Sequence, residues 1–245
     1  MHFLKFSSNP VFKSFGLLLL VFSLSSLLVK ASDCQFYMPL TEGSGLKMEH
    51  YNARDRLQHT QEIRVVNVRQ SPEGTEATLE ARVFDTRNRL QHEARFEVVC
   101  SGNELRLDLQ SLIDPATMAG FQGMEIEMEG ENLVVPSGLS VGQELPGAVL
   151  NIRMSSQGAN LGEMQMIVSD RKVISRENIE VPAGRFDAYK ISYQNRMDVS
   201  AMGMAISSST SRTVEYHSPG IGVIRTEIYD SRDRLQSYTV LSNIL

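Results

Sequence analysis

One eight-residue pattern occurs three times in this chain and constrains its fold more than any other feature. It reads Tyr51-Asn52-Ala53-Arg54-Asp55-Arg56-Leu57-Gln58, then Phe84-Asp85-Thr86-Arg87-Asn88-Arg89-Leu90-Gln91, then Tyr229-Asp230-Ser231-Arg232-Asp233-Arg234-Leu235-Gln236. Asn52, Asp85 and Asp230 suit the opening position of a type I turn, where a short polar side chain bonds the backbone ahead of it. Asp55, Asn88 and Asp233 fall where a G1 bulge requires a left-handed residue, which Asn and Asp tolerate best after Gly. The pattern predicts three β-hairpins, each with its aromatic residue facing its leucine across the pair. It also predicts that Gly at position 55 is stabilising. The copies have no fixed period, so this is a recurring turn and not a solenoid repeat.

The rest of the chain alternates. Leu105, Leu107 and Leu109 are interleaved with polar residues, as are Met124, Ile126 and Met128, then Met164, Met166 and Val168, then Tyr189, Ile191 and Tyr193. Period-two patterning of this kind marks half-buried strands. Turn signals separate them at Ser71-Pro72-Glu73-Gly74, Pro136-Ser137-Gly138, Pro146-Gly147, Pro182-Ala183-Gly184 and Pro219-Gly220. One short helix is expected around Pro115 to Gly120. The fold class is all-β: a strongly curved or barrel-like antiparallel sheet of about ten strands with little helix. With no Gly-, Ser- or Pro-rich linker, residues 32–245 read as one exported β domain.

Residues 1–31 read as a signal peptide. Lys5 and Lys13 supply the positive start, Phe15 to Leu28 the apolar stretch, and Val29-Lys30-Ala31 the approach to a cut at Ser32. The apolar run is short of the ~20 residues that span a bilayer, and Ser23, Ser25 and Ser26 interrupt it. No transmembrane span is expected after cleavage. The protein is read as exported and soluble, in a periplasm or outside the cell.

The two cysteines, Cys34 and Cys100, then meet an oxidising compartment, where an even count favours a disulfide. The meander carries Cys100 to the end of the sheet opposite turns 52–55 and 85–88, near the start of the mature chain. Closing that loop stabilises the fold by at most about 4 kcal/mol. Lipid attachment at Cys34 is the alternative, although Asp33 precedes it where such signals carry a small uncharged residue.

Several segments together resemble the TapB family of exported bacterial proteins, related to the domain of unknown function 3108 group. They are Asp33-Cys34 with Pro39, Val141-Gly142-Gln143-Glu144-Leu145 after Pro136, Val181-Pro182-Ala183-Gly184-Arg185-Phe186, and Ser218-Pro219-Gly220-Ile221-Gly222-Val223-Ile224. The resemblance covers most of the mature chain. It implies an envelope protein of Gram-negative bacteria, often Bacteroidota, with a curved or barrel-like β fold. The family carries no established activity, so no catalytic residue is carried over. Many relatives have Gly where Asp55, Asn88 and Asp233 stand.

Chemistry-bearing motifs are few. The formal net charge of -5 lacks the basic face that nucleic-acid binding requires. Gly138-Leu139-Ser140-Val141-Gly142 matches the hydrolase pattern around a nucleophilic serine, but the residues that follow, through Pro146, cannot propagate the helix that chemistry needs. His50, His59, His92 and His217 show no metal-ligand spacing. No catalytic, cofactor or metal residue is assigned, and the chain is read as not an enzyme.

Two surfaces remain. Met124, Met128, Met164, Met166, Met202 and Met204 suggest an adaptable apolar face, against the ordinary reading of core. Arg54, Arg56, Arg87 and Arg89 suggest a basic rim, against the reading of solvated turn charge. The expected function is binding of an apolar or lipid-like ligand in the curved sheet. The alternative is a structural or assembly module that docks an envelope protein.

Overall fold

The computed structural model describes residues 38–108 and 125–245. The expected helix near Pro115 lies outside them, as do Cys34, Met124 and residues 1–31; no helix occurs among the described residues. The strands are β1 (Gly45–Asn52), β2 (Leu57–Ser71), β3 (Gly74–Asp85), β4 (Leu90–Ser101), β5 (Glu104–Asp108), β6 (Glu125–Gly130), β7 (Asn132–Pro136), β8 (Ala148–Ser156), β9 (Ala159–Val181), β10 (Gly184–Ala201), β11 (Met204–Ser218), β12 (Gly222–Asp230) and β13 (Leu235–Ile244). They form one antiparallel sheet in the order β6-β8-β9-β10-β11-β12-β13-β1-β2-β3-β4-β5-β7.

The sheet is nearly closed into a barrel, and the chain shows why. β6 and β7 lie at opposite ends of the strand order, yet only Glu131 separates them in sequence. Residues 125–136 therefore form one extended run. Its first half pairs with β8, Gly130 opposite Leu150, and its second half pairs with β5, Asn132 opposite Asp108. One residue reaches only a few ångströms, so the two margins of the sheet must meet there. Gly130 is required at the switch: a Cβ there would lie 2.9 Å from both the Val149 carbonyl oxygen and Leu150 Cδ1.

The sheet has thirteen strands against the expected ten or so, and one of the additional strands arises because period-two patterning cannot show where one extended run changes partners. The core fills the barrel interior, where Leu241, Ile224, Ile191, Val173, Val65 and Val98 are almost fully buried. Cys100 belongs to this cluster, fully buried and not a free thiol. It pairs with Thr75, beside the β2–β3 turn and at the end away from the repeated hairpins. Gly74 opens β3 there, because a Cβ would lie 2.1 Å from the Cys100 carbonyl oxygen.

Candidate functional site: an arginine rim beneath a projecting flap

The three repeated patterns form three hairpin tips of one design. Asn52, Asp85 and Asp230 each accept two backbone N–H groups through Oδ1: Arg54 and Arg56, Arg87 and Arg89, Arg232 and Arg234, at 2.9–3.1 Å. Asp55, Asn88 and Asp233 have φ of 57°, 59° and 60°. A bulge follows in each pair, and Tyr51 faces Leu57, Phe84 faces Leu90 and Tyr229 faces Leu235. The turn chemistry and register are those the sequence predicts.

The sheet gathers all three tips at one end. β12–β13, β1–β2 and β3–β4 are consecutive hairpins in the strand order. Asn52 pairs with Ser237, and His59 with Asp85. The Ala53 N–H donates to the Gln236 carbonyl at 3.0 Å, binding the first tip to the third. Adjacent tips are two strands apart, about 10 Å.

Six arginines occupy this rim. Arg89 pairs with Asp85 and Arg234 with Asp230, each at 2.7 Å. In these two tips the arginine guanidinium and the two backbone donors hold the aspartate carboxyl below its usual range; at Asp85 the backbone bond from Arg89 leads, at Asp230 the Arg234 side chain. Arg54, Arg56, Arg87 and Arg232 have no carboxylate partner among the described residues. These four cations face solvent together.

Beyond the rim the sheet continues as a flap. Ser211 pairs with Asp230, the opening residue of the third tip, and Asn195 with both Ser211 and Val168. Residues 204–210 of β11, 196–201 of β10, 159–167 of β9, and all of β8 and β6 therefore extend past the β12–β13 tip, by about 20 Å along the strands. Ile126, Met154, Met128, Ile152, Leu150, Met164 and Met166 share one face of the flap, and cross-strand pairing sets Met166 against Met197 and Met164 against Val199. Met128, Met164 and Met166 are partly buried in a second core cluster with Leu150 and Ile152. Met202 and Met204 stand apart at the β10–β11 hairpin tip, 76% and 64% exposed. Met202 lies in the turn itself, with φ 51°, ahead of Gly203.

The flap also carries a cavity of about 670 Å³. Its lining mixes polar side chains with Met128, Ile152, Met164, Val199 and Ile206. Glu127, Arg153, Glu163 and Ser200 form one cross-strand row, and Glu129, Asn151, Gln165 and Asp198 another, two positions along and therefore on the same face. Arg153 lies 3.5 Å from both Glu127 and Glu163, and Arg196 is 2.9 Å from Asp198. Most of the polar lining is thus on the face opposite the methionines, and Met128 and Met164 also border the cavity.

A buried polar cluster lies on the lower half of β10 and β11. The Tyr193 hydroxyl donates to Glu215 Oε1 at 2.8 Å, and His217 Nε2 is 2.8 Å from Glu215 Oε2. Arg171 donates to the carbonyls of Val134 and Pro146 at 2.8 and 2.7 Å. Burial alone would raise the Glu215 carboxyl, but His217, Tyr193 and Arg171 together hold it below its usual range. Burial, then Glu215, pushes the Tyr193 hydroxyl well above its ordinary value. These partners read as a structural network that makes the interior charge tolerable.

The remaining candidates scatter. His50 and His59 stack at 4.0 Å, with His50 Nδ1 2.8 Å from Thr239 Oγ1. His92 is on β4 and His217 in the buried cluster. Ser140 lies in a turn, where the Gln143 N–H donates to its carbonyl and its own N–H meets Gln143 Oε1. Residues 142–145 then pair with β9 through Val173 and Arg171 instead of entering a helix.

The DUF3108-like family model matches residues 41–241, nearly the whole described chain. The chain belongs to the DUF3108-like family. All thirteen strands apart from the end of β13 lie inside the match, so the rim and the flap are both within the DUF3108-like domain. Two solved structures share the fold. A protein described as exported, with a YmcC-like fold, from Bacteroides fragilis NCTC 9343 is 22% identical with a TM-score of 0.67, over 86% of this chain and all of that one. A protein described as a lipoprotein from Parabacteroides distasonis ATCC 8503 is 25% identical with a TM-score of 0.67, over 86% and 99%. No curated protein matches the chain.

Proposed function

We propose that this DUF3108-like protein is an exported, non-enzymatic binding protein of the bacterial envelope that takes an anionic, lipid-like amphiphile by its phosphate head group at the arginine rim. The observation that carries the reading is the gathering of three tips at one end with Arg54, Arg56, Arg87 and Arg232 free of carboxylate partners among the described residues. One arginine on a turn is solvated charge; four on tips about 10 Å apart act together on a phosphate-bearing ligand. Met128, Met164 and Met166, on one face of the flap that rises at the same end, supply adaptable apolar surface for the acyl part.

Export is supported by the signal-like character of residues 1–31 and by relatives described as exported or as a lipoprotein. In this reading Cys34 closes a disulfide with Cys100. Met38, four residues after Cys34, packs in the same core cluster as Cys100. The TapB affiliation rests on the Val181–Phe186 and Ser218–Ile224 segments and is part of the same proposal.

The test is sedimentation of the full chain with vesicles of phosphatidylglycerol or of phosphatidylcholine, with mass spectrometry of lipid that co-purifies. Retention on the anionic vesicles alone, falling with salt and lost in an Arg54/Arg56/Arg87/Arg232→Gln variant, is the expected result. Equal retention on both vesicles, or retention by the variant, overturns the reading.

A further inference from the structure

β11 is only half paired. Its residues Ser211 to Ser218 bond β12, whereas residues 204–210 bond β10 alone and, among the described residues, present a bare strand edge on the other side. All seven are exposed. They read Met204-Ala205-Ile206-Ser207-Ser208-Ser209-Thr210, with no charge and no proline.

Natural sheets guard such an edge with charge, proline or a covering element, because its free N–H and C=O groups template another strand. The flap shows the guarded case on its opposite margin: β6 alternates Glu125, Glu127 and Glu129. The β11 margin lacks this protection, and Ile206 within it is 62% exposed. The foot of the edge abuts the β12–β13 tip, since Ser211 faces Asp230, and there Arg232 has no carboxylate partner among the described residues.

We infer that residues 204–210 of β11 are a docking edge for an extended segment of a partner protein, uncharged where it pairs and acidic where it reaches Arg232. An added strand takes its affinity from main-chain hydrogen bonds and its selectivity from flanking side chains. Here the neutral edge excludes charge from the paired stretch, and the cationic foot selects acid at one end. Because β11 descends toward the foot, an antiparallel strand would enter there by its N-terminus.

The probe is a fluorescein-labelled peptide, Asp-Asp-Ser-Thr-Val-Thr-Val-Thr-Val-Thr, titrated with the full chain and followed by anisotropy. Saturable binding is expected, at least about tenfold weaker when lysines replace the aspartates. An Ile206→Lys/Ser208→Lys variant, which puts guarding charge on this edge as the glutamates do on β6 but with the opposite sign, is expected to lose binding with an unchanged melting temperature. Amide hydrogen exchange is expected to slow within residues 204–210 when peptide is bound. No binding, or binding that survives the double substitution, overturns the inference. So does a dimer in sedimentation that the same substitutions dissolve, because a second copy would then hold the edge.

Discussion

The hydroxyl of Tyr238 donates to Oδ1 of Asp55 at 2.9 Å, tying strand β13 to the tip of the β1–β2 hairpin. Asp55 is also a left-handed residue, so one side chain serves both the turn and the neighbouring hairpin. This divides two substitutions that turn chemistry alone would treat alike. Asn88→Gly relieves a left-handed side chain that has no such bond among the described residues, and stabilises by about 0.5 kcal/mol. Asp55→Gly relieves the same strain but loses a hydrogen bond of about 1 kcal/mol, so the gain expected from sequence is cancelled. Thermal melts of the two variants check this, with Tyr238→Phe destabilising by about 1 kcal/mol as the control.

Removing the opening residue of a tip costs more than changing its bulge. Asp85 accepts two backbone N–H groups and the Arg89 guanidinium. Asp85→Ala leaves those donors to water and is expected to lower the midpoint of chemical denaturation, by more than Asn88→Gly raises it.

Acid should weaken the fold through His50. Burial, then the neighbouring His59, lowers His50 from 6.5 to about 4, and Gln61 opposes this in part. The unfolded chain therefore takes up a proton at a higher pH than the folded one. Stability is fully present above about pH 6.5 and declines as pH falls toward 4, by about 3 kcal/mol across that window. The lowered carboxyls of Asp85, Asp230 and Glu215 act in the same direction only nearer pH 4. Denaturation between pH 7 and 5 should follow this slope in the native chain and run flat in His50→Gln.

The buried cluster sets a further expectation. Tyr193→Phe withdraws a donor that helps keep Glu215 ionised. We expect a loss of about 1–3 kcal/mol at pH 7 and acid unfolding that begins at higher pH, read by circular dichroism.

Gly130→Ala would press a methyl group against the Val149 carbonyl and Leu150 where the barrel closes. A loss of about 2–3 kcal/mol is expected, and amides of β6 should exchange faster than those of β2.

The hairpin tips were legible because their information is local: an Asx residue, three positions, a left-handed Asp or Asn. The all-β class was legible from period-two patterning. Register follows from the turns, but strand order does not, and so the third tip's place beside the other two could not be read. Thr213, Glu215 and His217 alternate with Val214 and Tyr216 as an outward polar face would, yet Thr213 and His217 are buried along with Val214 and Tyr216. Both faces of that stretch of β11 are covered, and no sequence period signals it. Met202 and Met204 share a period of two, but a left-handed turn at Met202 and Gly203 falls between them. The bare edge of β11 depends on β12 being shorter than its neighbour, which only the assembled sheet reveals.

The pairing of β1 with β13 governs the timing of folding. Leu46 faces Ile244, and Gly45 and Leu245 exchange both backbone bonds at 3.1 and 2.8 Å. One side of the earliest strand stays open until the most distant one arrives, a long loop to close. A chain crossing a membrane amino end first would emerge with that seam unfilled. Until residues 235–244 follow, the unpaired side of β1 is an open strand edge to any neighbouring chain.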